Sequence, residues 1–390
     1  MSAGQMIFSR TETVVFGRSA AEVIAEFATQ REARRVLLMV SQSLRRNTDA
    51  IARIEAALGE RHALTWSGMG AHVPRPDLLE ATRAAADAKA DLIVTVGGGS
   101  ISDGGKILTL ALKHGVGAIE DFDRLHTSIG PDGALNVPKL DDPDVGVICV
   151  PTTLSGGEFN SASGSLDTRT MLKNGYQQPG MAPVAVILDP EITVHTPPWL
   201  WFSTGVRAVD HAVETLASRQ SNAFADGLAE NALRLLSGGL SAVSGDSMDM
   251  EARLKCQMGA WQAMMPIVGG VPMGASHSIG HALGGLCHVP HGYTSCVMSP
   301  AVLAWNADDD GGRQARIAEA LGAGKDESAS QVLDRIIAGL GMPRRLSEVG
   351  VRADQFPQLA AQAMKGHWTH TNPRSIRGES DLIEIVELAA

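Results

Sequence analysis

The chain has no run of eighteen apolar residues, so no membrane-spanning helix is expected. Its first ten residues, Met1 to Arg10, lack an apolar core, so no signal peptide is expected either. It lacks basic excess: 33 lysines and arginines stand against 43 acidic residues, a net charge of −10. A nucleic-acid binder would usually show a basic stripe, so that class is disfavoured. Cysteine is sparse. Cys149, Cys256, Cys287 and Cys296 have no CxxC spacing and read as reduced, mostly buried thiols of a cytosolic protein. No internal repeat or low-complexity tract stands out. What remains is 390 residues with 44% hydrophobic and 19% charged content, an ordinary globular composition long enough for two domains.

The first half alternates apolar strands with helices. Strands are predicted at Thr13–Phe16, Arg35–Val40, His62–Trp66, Asp91–Val96, Gly146–Val150 and Val184–Leu188, the last of the series. Between them lie helices starting at Ala20 and spanning Leu44–Leu58, Pro76–Ala88 and Ser102–His114. Continuous apolar runs of this kind suit buried parallel strands, so a doubly wound α/β domain is expected. The segment Glu120–Asp144, with Pro131-Asp132-Gly133, reads as a loop or hairpin excursion. After Pro197 the pattern turns helical: Gly205–Ser218, Ala223–Leu236, Met250–Met264, Ala275–Leu286, Arg313–Leu321, Ser328–Leu340, Ala353–Met364 and Glu379–Ala389. The expectation is an N-terminal Rossmann-like dinucleotide-binding domain, 1–191, and an all-α C-terminal catalytic domain, 192–390.

Gly97-Gly98-Gly99-Ser100 follows a predicted strand and opens a helix. Glycines there let backbone amides approach a diphosphate, and a helix N-terminus favours its charge. A plain tight turn explains a triglycine equally well. Asp103 and Lys106 on the following helix, and Pro151-Thr152-Thr153 closing another strand, favour the dinucleotide crevice. At the end of the Arg35–Val40 strand an acid would hold a ribose 2′-hydroxyl. The chain has Ser41-Gln42-Ser43 instead, with Arg45 and Arg46 next. Nothing there excludes a 2′-phosphate, so NADH and NADPH both stay open.

Four of the twelve histidines fall in the nineteen residues Gly274 to Gly292. His277 and His281 share a helix face at i, i+4, and His291 returns after a Gly-Gly break and a proline, from a loop or a following helix start. Such a cluster suits a metal, a proton relay or an anionic ligand. His288 reads as a packing or solvent residue. In Gly205–Glu214, Arg207 and His211 share a face, with Asp210 and Glu214 on its flank. Glu214 is expected in a surface ion-pair ladder. His72 reads as a turn residue or a ligand contact, and His367 and His370 beside Trp368 as a surface loop or a pocket wall.

These residues together resemble the iron-containing (group III) alcohol dehydrogenases and their offshoot, the maleylacetate reductases. The resemblance runs from Phe16-Gly17 through Gly97–Lys106, Pro151–Thr153, Asp189-Pro190, Gly205–Glu214 and His277/His281/His291 to Asn372-Pro373-Arg374. It implies hydride transfer with NADH or NADPH, cofactor contacts from Ser41, Gly97, Gly98, Gly99, Ser100, Asp103, Thr152, Thr153, Ser155 and Lys173, and a homodimer. Catalytic roles fall to Arg207, His211, His277, His281 and His291.

The metal-dependent members place an Asp four residues before the His at 211. Arg207 stands there, and a guanidinium does not lose its proton. Asp210, about 100° round the helix from His211, is expected to pair with Arg207. An iron or zinc ion is therefore the disfavoured alternative, with His211, His277 and His291 as its remaining ligands. The loop Pro151–Glu158, the turn Gly70–Pro74 and the acid-free Ser41-Gln42 turn resemble the reductases; Pro290-His291-Gly292 resembles the alcohol dehydrogenases. The expected reaction is reduction of an oxo acid such as maleylacetate, giving 3-oxoadipate, with Arg207 replacing the metal's charge. The alternatives are a metal-dependent alcohol or aldehyde dehydrogenase and a catalytically silent cofactor-binding protein.

Overall fold

The computed structural model describes residues 4–129, 135–309 and 311–390. The chain falls into two compact units: Ser9–His195, and Thr196–Ala390 joined by the residues up to Phe8.

The first unit alternates strand and helix. In chain order it contains β1 (Thr13–Phe16), α1 (Ala20–Gln30), β2 (Val36–Val40), α2 (Gln42–Asn47), α3 (Ala50–Leu58), β3 (His62–Trp66), α4 (Arg75–Asp87), β4 (Leu92–Gly97) and α5 (Gly99–Lys113). A minimal hairpin follows, β5 (Ser128–Ile129) and β6 (Leu135–Asn136). Then come β7 (Gly146–Pro151), the hairpin β8 (Ala162–Asp167) and β9 (Leu172–Gln177), β10 (Ala185–Leu188) and α6 (Pro190–Thr193). Six strands form one sheet in the order β1-β10-β7-β4-β2-β3, every neighbouring pair parallel.

All five residues of β2 are buried because both sheet faces are covered. Val36, Leu38 and Val40 pack with residues of α1 and α3. Leu37 and Met39 pack with residues of α4 and α5 on the other face. Helix α5 lies close on the sheet, and a Cβ at Gly105 would collide with Thr95 Cγ2.

The expected α/β architecture is present, with local differences. The single helix predicted over Leu44–Leu58 is two, because Thr48 is extended (φ −140°, ψ 166°). The helix predicted from Ser102 begins at Gly99, so two residues of the glycine motif form its first turn. The hairpin β8–β9 was not foreseen, since Ala-Ser-Gly-Ser-Leu-Asp has little apolar alternation. The turn Pro131-Asp132-Gly133 lies outside the described residues.

The second unit contains no strand among the described residues. Its helices are α7 (Pro198–Ala217), α8 (Ala223–Gly245), α9 (Met250–Val268), α10 (Ala275–Cys287), α11 (His291–Asn306), α12 (Arg313–Leu321), α13 (Ala329–Gly339), α14 (Phe356–Ala363) and α15 (Glu379–Leu388). Helix α7 starts with proline at its first position, where the missing N–H costs nothing. It packs on α8, α9, α11 and α12, and every residue from Gly205 to Ala217 is buried. A helix covered on all sides carries its titratable residues inward. A helix start was one of two alternatives at His291, but the length of α11 was not predicted. Gly292, Thr294, Ser295, Ser299 and an internal Pro300 give it poor propensity, and burial of most of its length overrides that. No helix among the described residues is long and apolar enough to cross a membrane.

Candidate active site

In the sheet unit the chain leaves β2 toward β3 and leaves β4 toward β7. The carboxyl ends of β2 and β4 therefore flank a topological switch point, where such sheets bind ligands. Ser41 N donates to Val96 O at 2.9 Å, and Thr152 N to Gly97 O at 2.9 Å, drawing three predicted cofactor segments together. Helix α5 starts there, its free amides facing the crevice. A Cβ on Gly98 would stand 3.1 Å from Thr153 Cγ2, and one on Gly99 3.2 Å from Ser155 Oγ. The glycines thus leave a cradle beside Thr153 and Ser155 that a side chain would fill. This cradle at a helix start fits a dinucleotide diphosphate.

The charged neighbours divide into committed and available groups. Lys106 Nζ is buried and donates to Gly157 O (2.7 Å), Ala162 O (2.6 Å) and Asn160 Oδ1 (3.1 Å), so it clamps the loop after β7. Asp103 accepts from Ser163 Oγ at 3.2 Å. Arg45 donates to Thr65 O at 3.1 Å. Arg46 is exposed, and its guanidinium has no partner among the described residues. His72, at φ 64°, donates its backbone N–H to Ser100 Oγ at 3.2 Å. Burial, then the nearby Lys173 on β9, holds its imidazole below the ordinary value.

In the helical unit, α7 supplies Arg207, Asp210, His211 and Glu214; α10 supplies His277 and His281; α11 opens with His291. Glu214 closes the start of α10. Its carboxylate accepts Gly274 N at 3.0 Å, Ser276 N at 2.8 Å and His277 Nδ1 at 2.7 Å. Nδ1 of His277 therefore carries its hydrogen, and the buried Nε2, which has no partner among the described residues, presents a lone pair. Asp210 Oδ2 accepts Ser276 Oγ and Ser295 Oγ, each at 2.8 Å. Arg207 Nη1 donates to Ser295 Oγ at 3.2 Å, so it reaches Asp210 through a hydroxyl rather than by the direct pair expected. The rings of His211 and His277 stack at 4.9 Å, and those of His281 and His291 at 5.6 Å. His281 and His291 are exposed.

Burial dominates the electrostatics. It drives His211 and His277 well below the ordinary histidine value, helped by Arg207, so both are neutral. It pushes Glu214 up to about 7 against the backbone donors that favour its charge. Asp210 also rises, mainly by burial. Asp210 Oδ1 and Ser299 Oγ have no partner among the described residues, and both residues line a cavity of about 10 Å³, room for one water.

The metal expectation needs correction. His211, His277 and His291 were the ligands foreseen, and Glu214 was placed on the surface. Among the described residues, the group whose donor atoms converge is Asp210, Glu214 and His277, within 4.8 Å of one another. Glu214 is 6% exposed. Positions 207, 210, 211 and 214 follow i, i+3, i+4 and i+7 spacing, so one face of α7 meets α10. Two carboxylates and an imidazole fit a divalent ion, which weakens the reading without metal. His288 is the exposed, left-handed cap of α10, in keeping with a solvent role.

A glycine-lined crevice on a parallel sheet and a helical unit of buried imidazoles and carboxylates define a nicotinamide-dependent oxidoreductase. The chain belongs to the iron-containing alcohol dehydrogenase family: residues 11–190 match the iron-containing alcohol dehydrogenase model and 201–389 that of the family's C-terminal part. It is 32% identical to the dehydrogenase FUM7 of Gibberella moniliformis, over 94% of this chain and 93% of that one. It is 28% identical to maleylacetate reductase 1 of Cupriavidus pinatubonensis, over 95% and 92%. The crystal structure of maleylacetate reductase from Agrobacterium tumefaciens superposes with a TM-score of 0.82 at 26% identity, covering 100% and 98%.

Proposed function

We propose that the protein reduces an oxo acid with NADH or NADPH, maleylacetate to 3-oxoadipate being the favoured reaction. One observation carries this reading. Arg207 is 6% exposed, yet of its five N–H donors only one hydrogen bond is made among the described residues, to Ser295. A buried guanidinium with donors to spare, beside two neutral imidazoles, suits a carboxylate or an enolate oxygen. The reductase relatives support the same substrate class.

Bound nicotinamide supplies the hydride, and the glycine cradle with Thr153 and Ser155 would hold its diphosphate. The chain's own residues orient and protonate. Arg207 fixes the anionic end and stabilises charge developing on oxygen. His277, its tautomer set by Glu214, directs an acceptor nitrogen into the site. His281, exposed on α10, passes a proton from solvent, with His211 the buried alternative. Arg46 beside the Ser41 turn supports acceptance of a 2′-phosphate. The exposed edge strand β1 supports a homodimer, testable by light scattering.

A metal-dependent alcohol or aldehyde dehydrogenase is the second reading, favoured by the convergence of Asp210, Glu214 and His277. There a divalent ion held by those three residues would polarise the carbonyl. Chelation decides between the two. Turnover of the oxo acid should survive exhaustive chelation; loss of activity that returns with Fe²⁺ or Zn²⁺ overturns the first reading. Arg207→Ala should lower kcat/KM for a dicarboxylate by about 100-fold, with a far smaller change for a neutral aldehyde.

A further inference from the structure

We infer that Trp368 sets the width of the carbonyl site and so determines substrate specificity. The inference rests on the oxo-acid reading only for its first choice of probe. The indole centroid lies 5.9 Å from that of His277, edge-on at 89°, and 5.0 Å from that of His281, tilted at 55°. These imidazoles are one turn apart on the same face of α10. Each already has a ring partner: His277 stacks on His211, and His281 on His291. Trp368 therefore forms an aromatic wall against the histidine pairs.

The wall is held in place. Trp368 belongs to a short 3-10 helix, His367–Thr371, fastened to α10 at two points. The fully buried Thr369 donates to Ala363 O at 2.5 Å and shares a 2.6 Å hydrogen bond with Ser278 on α10. Thr371 Oγ1 donates to Met273 O at 2.6 Å, just before α10 begins. Gly366 permits this closeness, since a Cβ there would collide with Ser278 Oγ. The indole is thus fixed relative to His277 and His281. It is also only half-buried, so nothing in the core requires its size. A rigid aromatic plane at a carbonyl site admits slim or planar groups and rejects bulky ones, and such a wall changes discrimination by about 10- to 200-fold.

The test compares pyruvate with phenylpyruvate, which differ by methyl against benzyl substitution, following NADH and NADPH oxidation. Trp368→Ala should raise the phenylpyruvate-to-pyruvate ratio of kcat/KM at least about tenfold, with Trp368→Phe between. Gly366→Ala, which displaces the indole without removing it, should shift the ratio the same way. An unchanged ratio in a Trp368→Ala protein that melts like the wild type overturns the inference. Acetaldehyde and phenylacetaldehyde form the parallel pair without a carboxylate. If the wild type turns over these aldehydes and no oxo acid, the oxo-acid reading fails, and the aldehyde ratio judges Trp368 by the same criterion. Ligand titration of tryptophan fluorescence gives a readout free of turnover. The change on binding phenylpyruvate should be lost in Trp368→Phe; a change retained in full places the indole away from the ligand and overturns the inference.

Discussion

Glu214 Oε2 lies 2.7 Å from Nδ1 of His277, and the same carboxylate accepts the amides that open α10. One buried group thus caps a helix and fixes the tautomer of an imidazole. The two roles share one charge, because the donors and the helix N-terminus both favour a carboxylate. Glu214→Ala leaves two amides and one imidazole N–H buried without an acceptor. It should destabilise the fold by about 2–4 kcal/mol, read as a urea midpoint shift, and lower kcat at least about tenfold. Glu214→Gln should retain more stability, but its amide presents donors to donors and kcat should still fall. Unchanged stability and turnover in both variants would remove Glu214 from these roles.

Arg207→Asp tests whether Arg207 keeps a metal out of the site. The substitution places a carboxylate four residues before His211 and removes the cation that opposes a metal. With Asp210, Glu214, His211 and His277 close by, the variant should bind Zn²⁺ or Fe²⁺ at about one ion per chain. Elemental analysis after dialysis gives the ratio, and the melting temperature should rise with added metal. Equal metal content in wild type and variant would show that Arg207 does not govern metal binding.

The glycine crevice and the histidine cluster were legible because local pattern encodes them. An apolar strand running into three glycines has few structural outcomes, and His277 and His281 at i, i+4 must share a helix face. Burial was not legible. Nothing near Glu214 in the sequence shows that α7 is covered on all sides, so an Asp, a Glu and an Arg on one helix read as a solvated ladder. Lys106 is similar: beside a phosphate-friendly turn it suggests a ligand, yet the carbonyls that consume it come from residues 157–162. Helix α11 was hidden by Gly292 and Pro300. Gly292 is needed where α11 crosses α7, since a Cβ there would stand 2.6 Å from Ser203 Oγ.

Glu158 should make stability depend on pH near neutrality. It is 2% exposed, Oε2 has no partner among the described residues, and burial raises its carboxyl from 4.5 to about 7. A raised folded value means the native state holds the proton more tightly than the unfolded chain. The Glu158 contribution to stability is then greatest at low pH and declines as pH rises from about 4.5 to 7, staying low above that. Glu158→Gln mimics the protonated form and should flatten this dependence. At pH 8 it should gain on the order of 3 kcal/mol over the wild type. Parallel urea curves for the two proteins between pH 5 and pH 8 would refute the assignment.

Asp167 should act in the opposite sense. It sits at the end of β8 between Arg169, whose Nη2 donates at 2.6 Å, and the fully buried Arg75, at 2.9 Å. Arg75 also reaches Asp123 at 2.5 Å, so the network fastens the hairpin β8–β9 to the start of α4 and to the residues after α5. Hydrogen bonding from Arg169, then its backbone N–H and the charge of Arg75, overcome burial and hold the Asp167 carboxyl far below its ordinary value. A depressed folded value contributes stability above the unfolded value of about 3.8, lost as pH falls below it toward the folded one. Asp167→Asn should therefore be less stable than the wild type at pH 7, with the gap closing below about pH 4. Arg75→Met leaves Asp167 with Arg169 alone and should cost about 3 kcal/mol, measured as a urea midpoint at pH 7. Because the network lies beside the His72 turn, which bonds both Ser100 and Leu166, the same variant should weaken dinucleotide binding. Cofactor affinity that stays at the wild-type value despite the lost stability would confine Arg75 to a role in folding.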